Sequence, residues 1–94
     1  KTGKNQPLSF HIDKPYPNPF NTSTTIKFSL DFSQDIDLKV YEVNGIFVET
    51  LIKSRLTMGQ HSINWNASNH PSGVYFIQIK SRNELKTQKV VLIK

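Results

Sequence analysis

Three histidines, seven carboxylates and no cysteine are the chemically versatile side chains of this 94-residue chain. His11 and Asp13 stand two residues apart, so on a strand they share one face, opposite Phe10 and Ile12. A histidine beside a carboxylate is the arrangement of a general base and the group that orients it. No Ser or Cys sits in a recognisable nucleophile motif for the pair to activate, and the plainer reading is a solvent-facing polar pair. His61 starts a stretch with strand character, and His70 lies in a loop before Pro71. Their spacing matches no zinc pattern, which leaves surface histidines as the simpler expectation. Asp31, Asp35 and Asp37 surround a turn. Oxygen-rich turns can hold calcium, but the Gly and Glu of the helical calcium loop are missing, so an ordinary acidic turn is expected. Carboxylate pairs for glycoside hydrolysis need a cleft, for which so small a domain has little room. Without cysteine there is no thiol nucleophile, disulfide or thiolate zinc site. The expectation is a domain that is not an enzyme and has no catalytic residues, no metal and no cofactor.

Aromatic side chains are the other candidates for binding. Trp65, Tyr16, Tyr41, Tyr75 and the six Phe could offer a flat platform to sugars. Trp65 shares the apolar face of its stretch with Ile63, which favours a core position. Tyr41 faces away from Leu38 and Val40 if its strand is regular, so an exposed binding aromatic stays open there. Asn21-Thr22-Ser23 and Asn66-Ala67-Ser68 match the N-glycosylation triplet, a short pattern of low specificity.

The elements that must position these residues are short and extended. Lys1 to Leu8 is polar, contains Gly3 and Pro7, and reads as a linker end; residues 9–94 form one domain. Apolar stretches follow at Ser9–Asp13, Thr24–Leu30, Ile36–Val43, Ile46–Ile52, Gln60–Trp65, Gly73–Lys80 and Leu85–Ile93. Ile26, Phe28 and Leu30 alternate with polar residues, as do Ile36, Leu38 and Val40, then Ile63 and Trp65, then Tyr75, Ile77 and Ile79. Period two buries one face of a strand and wets the other. No stretch sustains a helical stripe. Asn44-Gly45 between two apolar runs is a hairpin signal of the type I′ kind, which needs positive φ at both centres. The predicted fold is all-β, a seven-stranded immunoglobulin-like antiparallel β-sandwich, with a small open barrel as the structural alternative. Ile26, Phe28, Leu30, Leu38, Val40, Ile63, Trp65, Tyr75, Ile77 and Ile79 are the predicted core.

Twelve Lys and Arg against seven Asp and Glu leave a net charge of +5. Lys27, Lys39, Lys53, Lys80, Arg82, Lys86, Lys89 and Lys94 fall one or two to a strand or turn, the pattern of solvated faces and protected edges rather than a nucleic-acid patch. The longest apolar run, Val90-Val91-Leu92-Ile93, is far too short to cross a bilayer as a helix, and no membrane insertion is expected. That run also breaks the alternation. It is apolar on both faces, so one pair of side chains can face the core while the other must be covered by a loop or by a partner. Lys89 and Lys94 flank it as charged gatekeepers. Earlier in the chain, Tyr16-Pro17-Asn18-Pro19-Phe20-Asn21 cannot pair as an interior strand, because two prolines deny two backbone donors. It reads as a rigid connection with Phe20 tucked into the sandwich edge, or as a recognition segment.

Taken in order, these pieces resemble one family. Tyr16-Pro17-Asn18-Pro19-Phe20-Asn21 followed by Ser23-Thr24-Thr25-Ile26-Lys27-Phe28 resembles the opening motif of the C-terminal sorting domain of the bacterial type IX secretion system. Val40-Tyr41-Glu42-Val43-Asn44-Gly45 is similar to its strand and turn. Gly59-Gln60-His61-Ser62-Ile63-Asn64-Trp65 resembles its "Gly-x-His-x-x-x-Trp" stretch, and Ser72-Gly73-Val74-Tyr75-Phe76 its "Ser-Gly-Val-Tyr" segment. Thr87 to Lys94 resembles its last strand, which ends in a basic residue. Ile46-Phe47 and Thr22 depart from the pattern, where Gly-Arg and a third proline are common. The immunoglobulin-like domain of flagellar hook-cap proteins shares the proline-rich opening and the Gly-Val-Tyr segment, but typically sits inside a longer chain. The bare ending at Lys94 favours the sorting domain.

The resemblance implies a sandwich appended to an N-terminal cargo domain of the same chain. Such a domain is exported through the periplasm to the cell surface or beyond. Its implied partners are the outer-membrane type IX translocon, its shuttle protein and a sortase-like peptidase that commonly removes the domain. Lys89, Val90, Val91, Leu92, Ile93 and Lys94 are the expected recognition segment. A carbohydrate-binding or purely structural module of a cell-surface protein is the alternative.

Overall fold

The computed structural model describes residues 10–82 and 84–94; the linker assigned to residues 1–8 lies outside them. Seven strands are formed: β1 (Phe10–Ile12), β2 (Ser23–Leu30), β3 (Gln34–Glu42), β4 (Phe47–Leu56), β5 (Gly59–Asn66), β6 (Gly73–Lys80) and β7 (Leu85–Leu92). They pair antiparallel in two sheets, ordered β1-β2-β5 and β4-β3-β6-β7. Two sheets face to face make this a sandwich of the immunoglobulin-like kind, and the open barrel is set aside. The division is three strands against four because β4 pairs with β3 along most of its length.

The alternation seen in the sequence is the alternation of burial. In β2, Thr24, Ile26, Phe28 and Leu30 point inward, and in β3 the inward set is Gln34, Ile36, Leu38 and Val40. Registers bring these rows together, with Ile26 opposite Ile63, Leu38 opposite Ile79 and Val40 opposite Ile77. Nine of the ten predicted core residues are buried. Ile63 is the correction: it is only partly buried and packs against the core from the side. The edge position of β5 does not by itself expose it, since Trp65 on the same strand is fully buried beneath Phe20, His70 and Tyr75. The core is also larger than predicted, taking in Phe10, Ile12, Phe20, Ile36, Ala67, Val90 and Leu92. Lys86 closes its lower end. Its ammonium donates to the carbonyl of Phe10 (2.9 Å) and sits 4.8 Å from the Phe10 ring centre, so its stem covers apolar surface while its charge keeps a partner.

Two elements depart from expectation. β4 runs on to Leu56, four residues past its predicted end, and carries two irregularities opposite Leu38/Lys39 and Val40/Tyr41. The extra residues, Leu51 and Val48, break strict alternation within Phe47–Ile52, and beyond it the pattern is lost because polar Lys53, Ser54 and Arg55 follow in succession in a regular register. The Asn44-Gly45 turn is not of the two-residue type I′ kind. Gly45 has φ +88°, no non-glycine residue among those described has positive φ, and the Gly45 amide donates to Glu42 O. The loop is therefore three residues long, a turn closed by a left-handed glycine. The Asn44 side chain accepts from the Ile46 amide at 3.2 Å, a local bond that stabilises the turn without Asn44 itself becoming left-handed.

Candidate functional site

The chemically versatile side chains do not converge. His11 Nε2 and Asp13 Oδ1 are 3.1 Å apart, but both side chains are mostly exposed. They border a shallow, half-open concavity of about 290 Å³ on the outer face of the three-stranded sheet. His61 points to the other face of that sheet. Its ring stacks on Phe28 at 5.5 Å, and its Nε2 lies 2.8 Å from Thr57 O. His70 is in the β5–β6 loop, 3.3 Å from Glu49 Oε2. Asp35 and Asp37 share the outer face of β3, and each has a basic neighbour: Arg55 at 3.6 Å and Lys39 at 3.3 Å. Among the described residues, no group of three or more His, Asp or Glu is placed to hold a metal ion.

What does converge is one end of the sandwich. Phe20, Trp65 and Tyr75 form an aromatic chain through the core, with ring centres 5.6 and 5.2 Å apart. Such tilted and edge-on contacts add to the burial of the rings themselves. The Trp65 indole N–H donates to Glu49 Oε2 at 2.7 Å, which supplies the partner a buried indole needs. The Tyr75 hydroxyl donates to Pro71 O at 2.7 Å, tying the start of β6 to the preceding corner, as tyrosine corners do in related sandwiches. Burial, helped by the charge of Glu42, holds the Tyr75 pKa above its ordinary value of 10.0. A sugar platform built on Trp65 is excluded, because that ring is 1% exposed.

The same end holds the proline segment and the last strand in one hydrogen-bonded unit. Residues 13–16 continue the β1–β2 pairing, with Tyr16 and Thr25 exchanging backbone bonds. The peptide bonds before Pro17 and Pro19 are both cis. Thr24 Oγ1 donates to Pro17 O at 2.7 Å, and the loop then crosses to the other sheet. There Asn18 acts as a strand substitute. Its amide nitrogen donates to Lys89 O at 3.0 Å, and its oxygen accepts from the Val91 amide at 2.9 Å. Phe20 continues the pairing in parallel: its amide donates to Val91 O, and its carbonyl accepts from the Ile93 amide. The outer backbone edge of β7 from Lys89 O to the Ile93 amide is thus sealed within the domain, as exposed sheet edges commonly are. Lys94 is also tied down: its amide donates to Ser72 Oγ at 3.0 Å and its ammonium to Ser68 O at 2.6 Å.

The terminal run therefore divides three ways. Val90 and Leu92 face the core, Lys89, Val91 and Ile93 project outward, and the backbone is clasped. Ile93 is 55% exposed, so the strand is not covered on both faces by its own domain. Of the motif residues, Tyr16, Pro17, Asn18, Pro19, Phe20, Trp65, Gly73, Val74 and Tyr75 gather at this end, and the Asn44-Gly45 hairpin closes the same end of the larger sheet. Gly59 stands apart, opposite Leu30 at the far end. Sequence reasoning missed the clasp. Its one available signal was Asn18 between two prolines, an amide with no backbone donor on the residue either side of it.

The outer face of the larger sheet was only glimpsed through Tyr41. Tyr41 points outward with Phe47 beside it, ring centres 5.9 Å apart and edge to face. Registers place Phe76 on its other side and Lys89 beyond. Residues 14–94 match the secretion system C-terminal sorting domain family. No curated protein matches the chain.

Proposed function

The chain belongs to the family of secretion system C-terminal sorting domains, and from that membership we propose that its terminal segment is read in the folded state through side chains. A domain of this family is a C-terminal sorting signal for type IX secretion, linked to a cargo part that precedes it in an exported protein. In the proposed reading, Lys89, Val91 and Ile93 are the contacts offered to the outer-membrane translocon or its shuttle, while Lys94 anchors the end of the segment to Ser68 and Ser72. The domain crosses the periplasm folded, and a sortase-like peptidase then separates it from its cargo at the surface. It acts as signal and substrate rather than as catalyst.

One observation carries this reading. The backbone edge of residues 89–93 is already paired with Asn18 and Phe20. Addition of β7 to a partner sheet, the usual way a terminal strand is recognised, would require that clasp to open. Side chains on the outward face are available without any rearrangement. The test is to fuse the domain behind a reporter in a type IX-competent cell and change only outward atoms: Lys89→Glu, Val91→Thr and Ile93→Thr. The variant should fold and stay inside the cell. Full export of the folded variant would overturn the reading. Deleting Val91–Lys94 is the poorer experiment, since it removes the core residue Leu92 and strips Phe20 of its partners.

A further inference from the structure

A row of outward side chains crosses all four strands of the larger sheet. Phe47 on β4 is opposite Tyr41 on β3, Tyr41 is opposite Phe76 on β6, and Phe76 is opposite Lys89 on β7. The next row pairs Val74 with Val91. Phe47 is 52% exposed, and the adjoining hairpin adds Val43 and Ile46, both more than half exposed. A sheet face turned to water is normally polar. The corresponding face of the smaller sheet follows that rule, with Thr25 beside Asn64, Lys27 beside Ser62 and Ser29 beside Gln60. A contiguous apolar patch on one face only, rich in aromatic residues, is the composition of an interface centre.

Charge selects the occupant. The same face carries Lys39, Lys53, Arg55, Lys80 and Lys89 against Asp35 and Asp37. Of these cations, Lys39 and Lys89 border the aromatic row, and Asp37, cross-strand from Lys53 and Lys80, also reaches Lys39 at 3.3 Å. A second copy packed on this face by a two-fold axis would bring like charges together. Tyr41 and Phe76 are half-buried and lie within the pleat, which offers a flat contact rather than the protruding side chains that enter a lipid surface.

We propose that this face of the larger sheet is a docking surface for a partner protein that presents an apolar centre rimmed by carboxylates. The proposal rests on the sorting reading and deepens it. The signal is then a surface assembled from β3, β4, β6 and β7, and the terminal segment supplies only its last column through Lys89 and Val91. Aromatic anchors bury the area, while Lys39 and Lys89 steer the encounter and fix its register.

The experiment uses the reporter fusion in a type IX-competent cell, with three further forms. One carries Tyr41→Thr, Phe47→Thr and Phe76→Thr, the second carries Lys39→Glu and Lys89→Glu, and the third carries Lys27→Glu and Ser62→Glu on the opposite face. Folding of each is verified by the emission of buried Trp65. The charge-reversal form leaves the aromatic anchors in place, and because Lys39 is paired with Asp37, exposed Lys89→Glu is also made alone, so that a folded charge variant decides the matter even if the aromatic triple variant does not fold. The first two forms should lose export by about tenfold, the loss expected when interface anchors are removed, and the third should export like the parent. Undiminished export of the folded first or second form would overturn the docking surface while the sorting reading stands. Failure of the parent fusion to be exported would instead sink the sorting reading itself. Two other results would also overturn the proposal: dimerisation that depends on Phe47, or Phe47-dependent binding to phosphatidylglycerol vesicles.

Discussion

On the outer face of the smaller sheet the cross-strand rows read Thr25–Asn64, Lys27–Ser62 and Ser29–Gln60; on the outer face of the larger sheet they read Phe47–Tyr41–Phe76–Lys89 and Val74–Val91. Both faces back onto the same core and obey the same pleat. The polar face satisfies water and is explained by folding alone. The aromatic face is not, because the core is complete without it: Leu38, Val40, Ile77 and Ile79 on the inner side of the same strands are fully buried. An inward row is constrained by packing, whereas an outward row is free to be polar. A row that stays apolar where folding does not ask for it points to a contact made outside the domain.

That contrast can be broken or sharpened by substitution. The largest effect belongs to the shared core. Trp65→Ala should cost about 3–5 kcal/mol, the range for deleting a buried aromatic side chain, and in a domain of this size could abolish folding. Urea denaturation followed by circular dichroism measures it, and a loss under about 1 kcal/mol would place Trp65 outside the core that both faces share. Next is the clasp. Asn18→Ala removes two hydrogen bonds to the edge of β7 and should cost about 1–2 kcal/mol. Amide exchange at Val91 should accelerate while that of Val40 stays slow. Equal protection of Val91 in parent and variant would show that the edge is held by other means.

A smaller effect is expected in alkali. The native Tyr75 pKa is raised, first by burial and then by Glu42. Above pH 10 the unfolded chain gives up a proton that the folded chain retains, so this contribution is whole below pH 10 and declines as pH rises through the native value. Tyr75→Phe should flatten that decline in a series of melting curves, and an unchanged slope would assign it to another group. The smallest effect is on the aromatic face itself. Phe47→Thr should change stability by no more than about 0.5 kcal/mol, as surface substitutions do. A cost above about 2 kcal/mol would make the outward row part of the folding apparatus, and the contrast between the two faces would collapse.

Local pattern alone was enough to reveal the strands and their inner faces. Side-chain direction in a strand has period two whatever the strand pairs with, so Ile26, Phe28 and Leu30, or Tyr75, Ile77 and Ile79, declare a common face before any partner is known. The order of the motif segments, from the proline opening to the terminal run, likewise sufficed to mark the family. Tertiary structure decided what depends on residues far apart in the chain. Asn18 meets Lys89 across 71 positions, and no periodicity encodes that meeting. It exists because the tip of the β1–β2 hairpin folds onto the open edge of β7, where unpaired backbone groups must find donors and acceptors. Ile63 has the same alternation as Trp65 two residues later and lies on the same edge strand, yet it is only partly buried, whereas Phe20, His70 and Tyr75, brought from other elements, close around Trp65. Tyr41, Phe47, Phe76 and Lys89 come from four separate strands, and each alone is an unremarkable outward residue. Only the order β4-β3-β6-β7 lines them up in one row, since sheet neighbours are set by topology and register rather than by the sequence around any one of them.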